Sequence, residues 1–274
     1  MALDEFRVVF QVKQRRASHR CSGSAGARFG REWEAAIVAV EGSGGQWIVR
    51  NLASRKSALP RGILVATGKH DIPLRDLLAQ VRACRHCEDS LPLGPNPVLR
   101  ASATARLLII GQAPGTRVHA SGIPWNDPSG DRLRQWLQLD SEQFYDEARV
   151  AIVPMGFCYP GRGKSGDLPP PPACAPLWHG PLQQQMPNLQ LVLLVGSYAQ
   201  QYYQAHTSAA AVPGETLTMR VQRWREFGPR YFPLPHPSPR NNLWLRRNPW
   251  FETEVLPALR RRVGEVLSWQ EGGR

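Results

Sequence analysis

Four short apolar runs recur from the middle of the chain onward. Residues 106–110 read Arg-Leu-Leu-Ile-Ile and stop at Gly111. Residues 150–155 run from Val150 to Met155. Residues 189–195 stop at Gly196, and residues 231–234 lead into His236. These runs are continuous rather than alternating, as strands buried on both faces require. Before, between and after them, apolar residues fall at helical spacing. Leu74, Leu77, Leu78 and Val81 form one such stripe, with Asp71 placed to cap it. Residues 129–139 put Leu133, Trp136 and Leu137 on one face. Shorter helices are predicted from about Ala175 and through Tyr198 and Tyr202, and a last amphipathic helix over 249–267. Strands that alternate with helices predict an α/β fold, a three-layer αβα sandwich around a central four-stranded parallel sheet. Ligands of such sheets sit at the carboxyl ends of the strands. Three loops answer to that position: 111–131, 154–166 and 236–242.

Residues 1–70 follow no such pattern. They are rich in Gly, Ser and Arg, with short strand-like patches at 7–12, 35–40 and 47–49, the last two separated by a turn at 42–45. They are read as a basic, poorly ordered extension (translation from an upstream start is a second reading), with the folded domain spanning 71–274. The chain is basic throughout, with a formal net charge of +12. The first 70 residues hold 12 of the 34 Lys and Arg but only 5 of the 22 Asp and Glu. Such a balance points to a polyanionic partner, most often nucleic acid. There is no apolar run of membrane-spanning length, and the first residues lack the apolar core of a signal peptide. A cytoplasmic, monomeric protein with no membrane association is expected.

In a reducing compartment, spaced cysteines serve as ligands more often than as disulfides. Cys84 and Cys87 form a C-x2-C pair, and Cys158 and Cys174 a wider one, the second member lying in the proline-rich run 168–176. The four suggest a bound metal centre. Cys21 has no partner in this arrangement.

Two loop motifs carry candidate chemistry. Gly111-Gln112-Ala113-Pro114-Gly115 follows the first strand directly, where glycine allows close backbone approach to a ligand. It is followed by Gly122-Ile123-Pro124-Trp125-Asn126-Asp127-Pro128-Ser129-Gly130, which sets an aromatic ring and a carboxylate before a helix. Trp125 is either a stacking platform for a base or a core aromatic, and Asp127 is either a site carboxylate or a helix cap. His236-Pro237-Ser238-Pro239-Arg240-Asn241-Asn242 follows the last strand, with Arg246 and Arg247 nearby. The cations and the Ser238 hydroxyl suit phosphates, and His236 is placed to hydrogen-bond a leaving group.

A Gly-Gln-x-Pro motif after the first strand and a His-Pro-Ser motif after the last, in one α/β unit, resemble the uracil-DNA glycosylase superfamily. The cysteine layout resembles its iron–sulfur, family-four branch. The resemblance covers about residues 71–265 and implies hydrolysis of the N-glycosidic bond of uracil or another deaminated base in DNA, in base excision repair. It implies a [4Fe–4S] cluster on Cys84, Cys87, Cys158 and Cys174, with zinc as the alternative. It also implies a base pocket made by Gly111, Gln112, Ala113 and Trp125, with Gln112 placing water and His236 donating to the base. Ser238, Arg240, Leu243 and Arg246 would contact DNA, with Arg240 at the wedge position and Leu243 or Trp244 sharing that job.

The chain departs from that branch at three points. Gln112 stands where Glu is usual, Val118 and His119 where an acidic pair is usual, and Pro154 where an Asn reads the base edge. Asp127 is the nearest replacement for the water-activating carboxylate, with His119 next, and Asn126 or the backbone at Met155 and Gly156 is the replacement reader. A catalytically weak or inactive DNA-binding relative is the second functional reading, and an enzyme of free nucleotides a third.

Overall fold

The computed structural model describes residues 37–42, 46–51, 73–164 and 166–268. The chain divides into two compact units, Met1–Asp71 and Ile72–Arg274. In the first, β1 (Ile37–Gly42) and β2 (Gln46–Asn51) pair as an antiparallel hairpin, close to the strands expected there. The strand expected at 7–12 and Cys21 lie outside the described residues.

The second unit opens with α1 (Leu74–Arg82), which buries Leu77, Leu78 and Val81. Pro73 takes its N-cap position without a side-chain bond, while Asp71, the expected cap, lies outside the described residues. Next come β3 (Leu107–Ile110), α2 (Thr116–Ser121), α3 (Pro128–Leu137), α4 (Ser141–Tyr145) and β4 (Val150–Ile152). A two-residue hairpin follows, β5 (Arg162–Gly163) with β6 (Gly166–Asp167), and then α5 (Cys174–Gln184). β7 (Leu191–Val195), α6 (Ser197–Tyr203), α7 (Leu217–Gln222), β8 (Tyr231–Leu234), α8 (Asn242–Arg247) and α9 (Leu256–Leu267) complete the order.

The sheet runs β4-β3-β7-β8 with every pair parallel. Leu107 stands beside Val150 on one side and Leu191 on the other, and Leu193 beside Phe232. Side chains of a strand alternate between faces, and here each face has its own core. Leu108, Ile110, Ala151, Val192 and Leu194 pack against α1, α5 and α6. Leu107, Ile109, Val150, Ile152, Leu191 and Leu193 pack against α3 and α9. This two-sided burial gives the three layers, and it is why the strands read as unbroken apolar runs. Proline at 233 is tolerated because β8 lies at the edge of the sheet.

Differences from the sequence expectation lie at element ends. The expected strand 150–155 ends its ladder at Ile152. Beyond it the chain stays buried and satisfies its backbone on β3 and the loop after it: Val153 N–H bonds Ile109 O at 3.0 Å, Met155 N–H bonds Gly111 O at 2.9 Å, and Gly156 N–H bonds Gln112 O at 2.9 Å. Helix α3 ends at Leu137, because Gln138 turns left-handed at φ 55°. Helix α5 starts one residue earlier than expected, so Cys174 sits in its first turn rather than in the proline loop. The helix expected over 249–267 is broken in type: five residues, Phe251–Val255, adopt a π-helical turn before α9.

Candidate active site

At the carboxyl ends of β3, β4 and β8 the loops enclose a cavity of about 400 Å³, within the usual size of a small-molecule site. Gly111, Gln112, Ala113 and Gly115 come from the loop after β3, and Trp125, Asp127 and Ser129 from the start of α3. Ile152 and Pro154 come from the end of β4, and His236, Ser238, Arg240 and Asn241 from the loop after β8. Gly166 and Asp167, on β6, complete the wall.

Trp125 forms one side. Its backbone is left-handed at φ 58°, a costly conformation for a large side chain. That turn folds its ring onto Gly111, where an added Cβ would lie 2.7 Å from Trp125 Cζ2. The ring also packs at 5.5 Å, centroid to centroid, from the imidazole of His236. It is partly buried against the α3–α9 core and also lines the cavity. Asp127 likewise does two things. Its Oδ1 accepts the Gly130 N–H at 2.8 Å as the N-cap of α3, and its carboxylate faces the cavity.

His236 Nδ1 accepts the backbone N–H of Ser238 at 3.2 Å. In a neutral imidazole this leaves the hydrogen on Nε2, so the ring is a donor there. Burial pushes its pKa below the ordinary histidine value, against the pull of the Asp127 charge, which favours that neutral form. The loop is braced from two sides. Asn241 Nδ2 donates to His236 O at 2.7 Å, and Arg132 of α3 donates to Ser238 O at 3.1 Å and to Asn242 Oδ1 at 2.7 Å. The Ser238 hydroxyl accepts the Arg240 N–H at 3.3 Å.

Several expected site residues stand elsewhere. Asn126 is exposed and outside the cavity lining. Met155 is buried in the core between the sheet and α1, and its N–H and that of Gly156 are already bonded to Gly111 O and Gln112 O. Neither N–H is therefore free for a base. Leu243 is 49% exposed on α8, as a wedge would be. Arg246 lines a separate shallow groove with Arg132 and Arg260. Gln112 lines the cavity, but its Nε2 is engaged, donating to Leu168 O at 3.0 Å.

Three contributors were missed by sequence reasoning: Asp167, Asn241 as a brace, and His179. His179 is buried in α5, donates Nε2–H to Pro154 O at 3.0 Å, and accepts from Tyr203 at 2.6 Å. Gln183 in turn donates to the Tyr203 hydroxyl at 2.6 Å. Pro154 has no N–H, and its carbonyl is taken by His179. The cavity wall at 154 therefore presents no free N–H, and its carbonyl already has one partner.

Cys84, Cys87, Cys158 and Cys174 line one small cavity together with Leu91, Pro95, Pro97, Phe157 and Pro171. All four are free of disulfides. Among the described residues no group of three or more His, Cys, Asp or Glu stands at metal-holding geometry. The donor set nonetheless fits a thiolate-bound centre in kind. Burial pushes up the thiols of Cys87 and Cys158, and that of Cys174 to about 11, so their surroundings disfavour an uncompensated thiolate.

A family model described as the uracil DNA glycosylase superfamily matches residues 100–260. The match takes in both loop motifs, β3 to β8, Cys158 and Cys174, and leaves Cys84 and Cys87 outside it.

Proposed function

The chain belongs to the uracil DNA glycosylase superfamily, and from the cavity we propose that it is a DNA-repair glycosylase. Its reaction is hydrolysis of the N-glycosidic bond of uracil or another deaminated base in DNA, leaving an abasic site. A base in duplex hides its reactive atoms, so the target nucleotide must leave the stack and enter a pocket. The cavity beside Trp125 is offered as that pocket, with the indole as its stacking wall.

The observation that carries the reading is the state of His236. A buried, neutral imidazole whose Nδ1 is occupied by Ser238 N–H is a fixed Nε2–H donor. The departing base gains negative charge as the bond to C1′ breaks, and a prearranged donor stabilises that charge without reorganising. Gly111 and Ala113 line the same cavity for the base to approach backbone. Arg240 and Ser238 stand at its edge for DNA phosphates, with exposed Leu243 as the wedge into the duplex.

The four thiols would hold a [4Fe–4S] cluster, or zinc in its place, as a structural tie between the end of α1, the loop after β4 and the start of α5. Proline at 154 and the engaged Gln112 favour a base other than uracil over the uracil edge-reading of the family-four branch.

The test is a panel of single-stranded and duplex oligonucleotides carrying uracil, hypoxanthine, xanthine or a mismatch, scored for abasic sites. Release of one base by the native protein, with a loss of about 100-fold or more in His236→Ala, is expected. Retained DNA binding with no release from any substrate would instead establish a non-catalytic binder.

A further inference from the structure

We propose that Asp167 is the carboxylate that receives the proton of the attacking water, a role that rests on the glycosylase reading above. Hydrolysis at C1′ needs a water aimed at a carbon that is gaining positive charge. A carboxylate both orients that water and offsets the charge. The first motif carries Gln112, whose amide has negligible basicity. Two carboxylates line the cavity, Asp127 and Asp167.

They are differently employed. Asp127 Oδ1 is committed to the Gly130 N–H at the head of α3. Asp167 stands exposed at the cavity wall, reachable by water, with Oδ2 3.6 Å from where a Cβ of Gly115 would lie. Among the described residues its carboxylate makes no hydrogen bond or ion pair. It is held in place by the backbone on either side. Leu168 N–H bonds Gly161 O at 2.9 Å, Leu168 O accepts from Gln112 Nε2 at 3.0 Å, and any side chain at Gly166 would overlap the Arg240 guanidinium. Pro170 and Pro171 then seat the following turn on Gly156.

Gln112 thereby acquires a reason. An ionised Glu at this position could not donate to the Leu168 carbonyl. The glutamine grips the loop that carries the carboxylate, so the acid moves from the motif after β3 to the hairpin between Cys158 and Cys174. In the step, the water oxygen bonds C1′ while the C1′–N bond breaks and its electron pair leaves with the base. The water's proton passes to Asp167 and on to solvent, and the base anion, held by His236, takes a proton from solvent.

The experiment measures single-turnover base release and DNA affinity for wild type, Asp167→Asn, Asp127→Asn and His236→Ala on the substrate the panel identifies. Asp167→Asn should lose about 100-fold or more in rate at unchanged Kd. Asp127→Asn should lose less. Asp167→Asn within about threefold of wild type, while His236→Ala is inactive, overturns the proposal and leaves the glycosylase reading standing. A wild type that releases no base from any substrate overturns both.

Discussion

Gly130 shows how closely single residues are constrained here. A Cβ at this position would overlap the carbonyl oxygen of Trp125, whose left-handed backbone bends into that space. We expect Gly130→Ala to cost about 1–3 kcal/mol and to displace the Trp125 ring from the cavity wall. Gly264, inside α9, has nothing within 4 Å of its would-be Cβ. Gly264→Ala should stabilise by up to about 1 kcal/mol, since alanine is the better helix former. Urea denaturation of the two variants beside wild type checks both signs. Trp125 and Asp127 were legible in the sequence as an aromatic and a carboxylate before a helix. That each serves core or cap and cavity together was not, because a motif does not say which way a ring folds. Asp167 was invisible for a plainer reason: it lies in a loop with no periodicity and no motif of its own.

At the scale of elements, α5 joins the cysteine cavity to the cavity lined by Pro154 and Trp125. It begins at Cys174 and, one and a half turns on, turns His179 toward Pro154 O. The imidazole stacks on Phe157, next to Cys158. Burial lowers the His179 pKa to about 4, below the ordinary 6.5. Between those values the unfolded chain binds a proton that the folded chain refuses, so stability falls as pH drops from about 6.5 towards 4. The full loss from this residue is about 3 kcal/mol. His236, also lowered by burial, adds to it with the same sign. Denaturant midpoints measured between pH 7 and pH 4 should therefore decline, and His179→Gln should shrink that decline relative to wild type. An unchanged pH slope in the variant would remove His179 as its source. The four sheet strands and α1, α3, α5, α6 and α9 followed from apolar spacing, whereas α2, α4, α7, α8 and the β5–β6 hairpin, too short for a clear period, did not. The element ends did not either, because Gln138 and the close of β4 are decided by loop packing and backbone bonds to other segments.

For the whole molecule, the net charge of +12 makes salt the governing variable for the proposed DNA binding. If about six phosphates are neutralised, affinity should fall by about 10³ between 50 and 200 mM salt. Arg240→Ala and Arg246→Ala should each reduce the slope of log affinity against log salt by about 1. Fluorescence anisotropy titrations over that salt range give the slopes directly, and unchanged slopes would take those two arginines off the DNA path. Among the described residues no helix is long and apolar enough to cross a membrane. The linear pattern by itself determined the four parallel strands, the helices on both faces and the carboxyl-end loops as the place for a site. It could do so because a sheet buried on two sides demands uninterrupted apolar runs, and such runs are visible without coordinates. Only the tertiary structure decided which groups meet. Gln112 grips Leu168, 56 residues away, His179 takes the carbonyl of Pro154, and Asp167 arrives at the cavity from a hairpin beyond Cys158. Those encounters are set by the paths of loops, where hydrogen bonds and close packing choose the partners and no repeating pattern in the sequence records the choice.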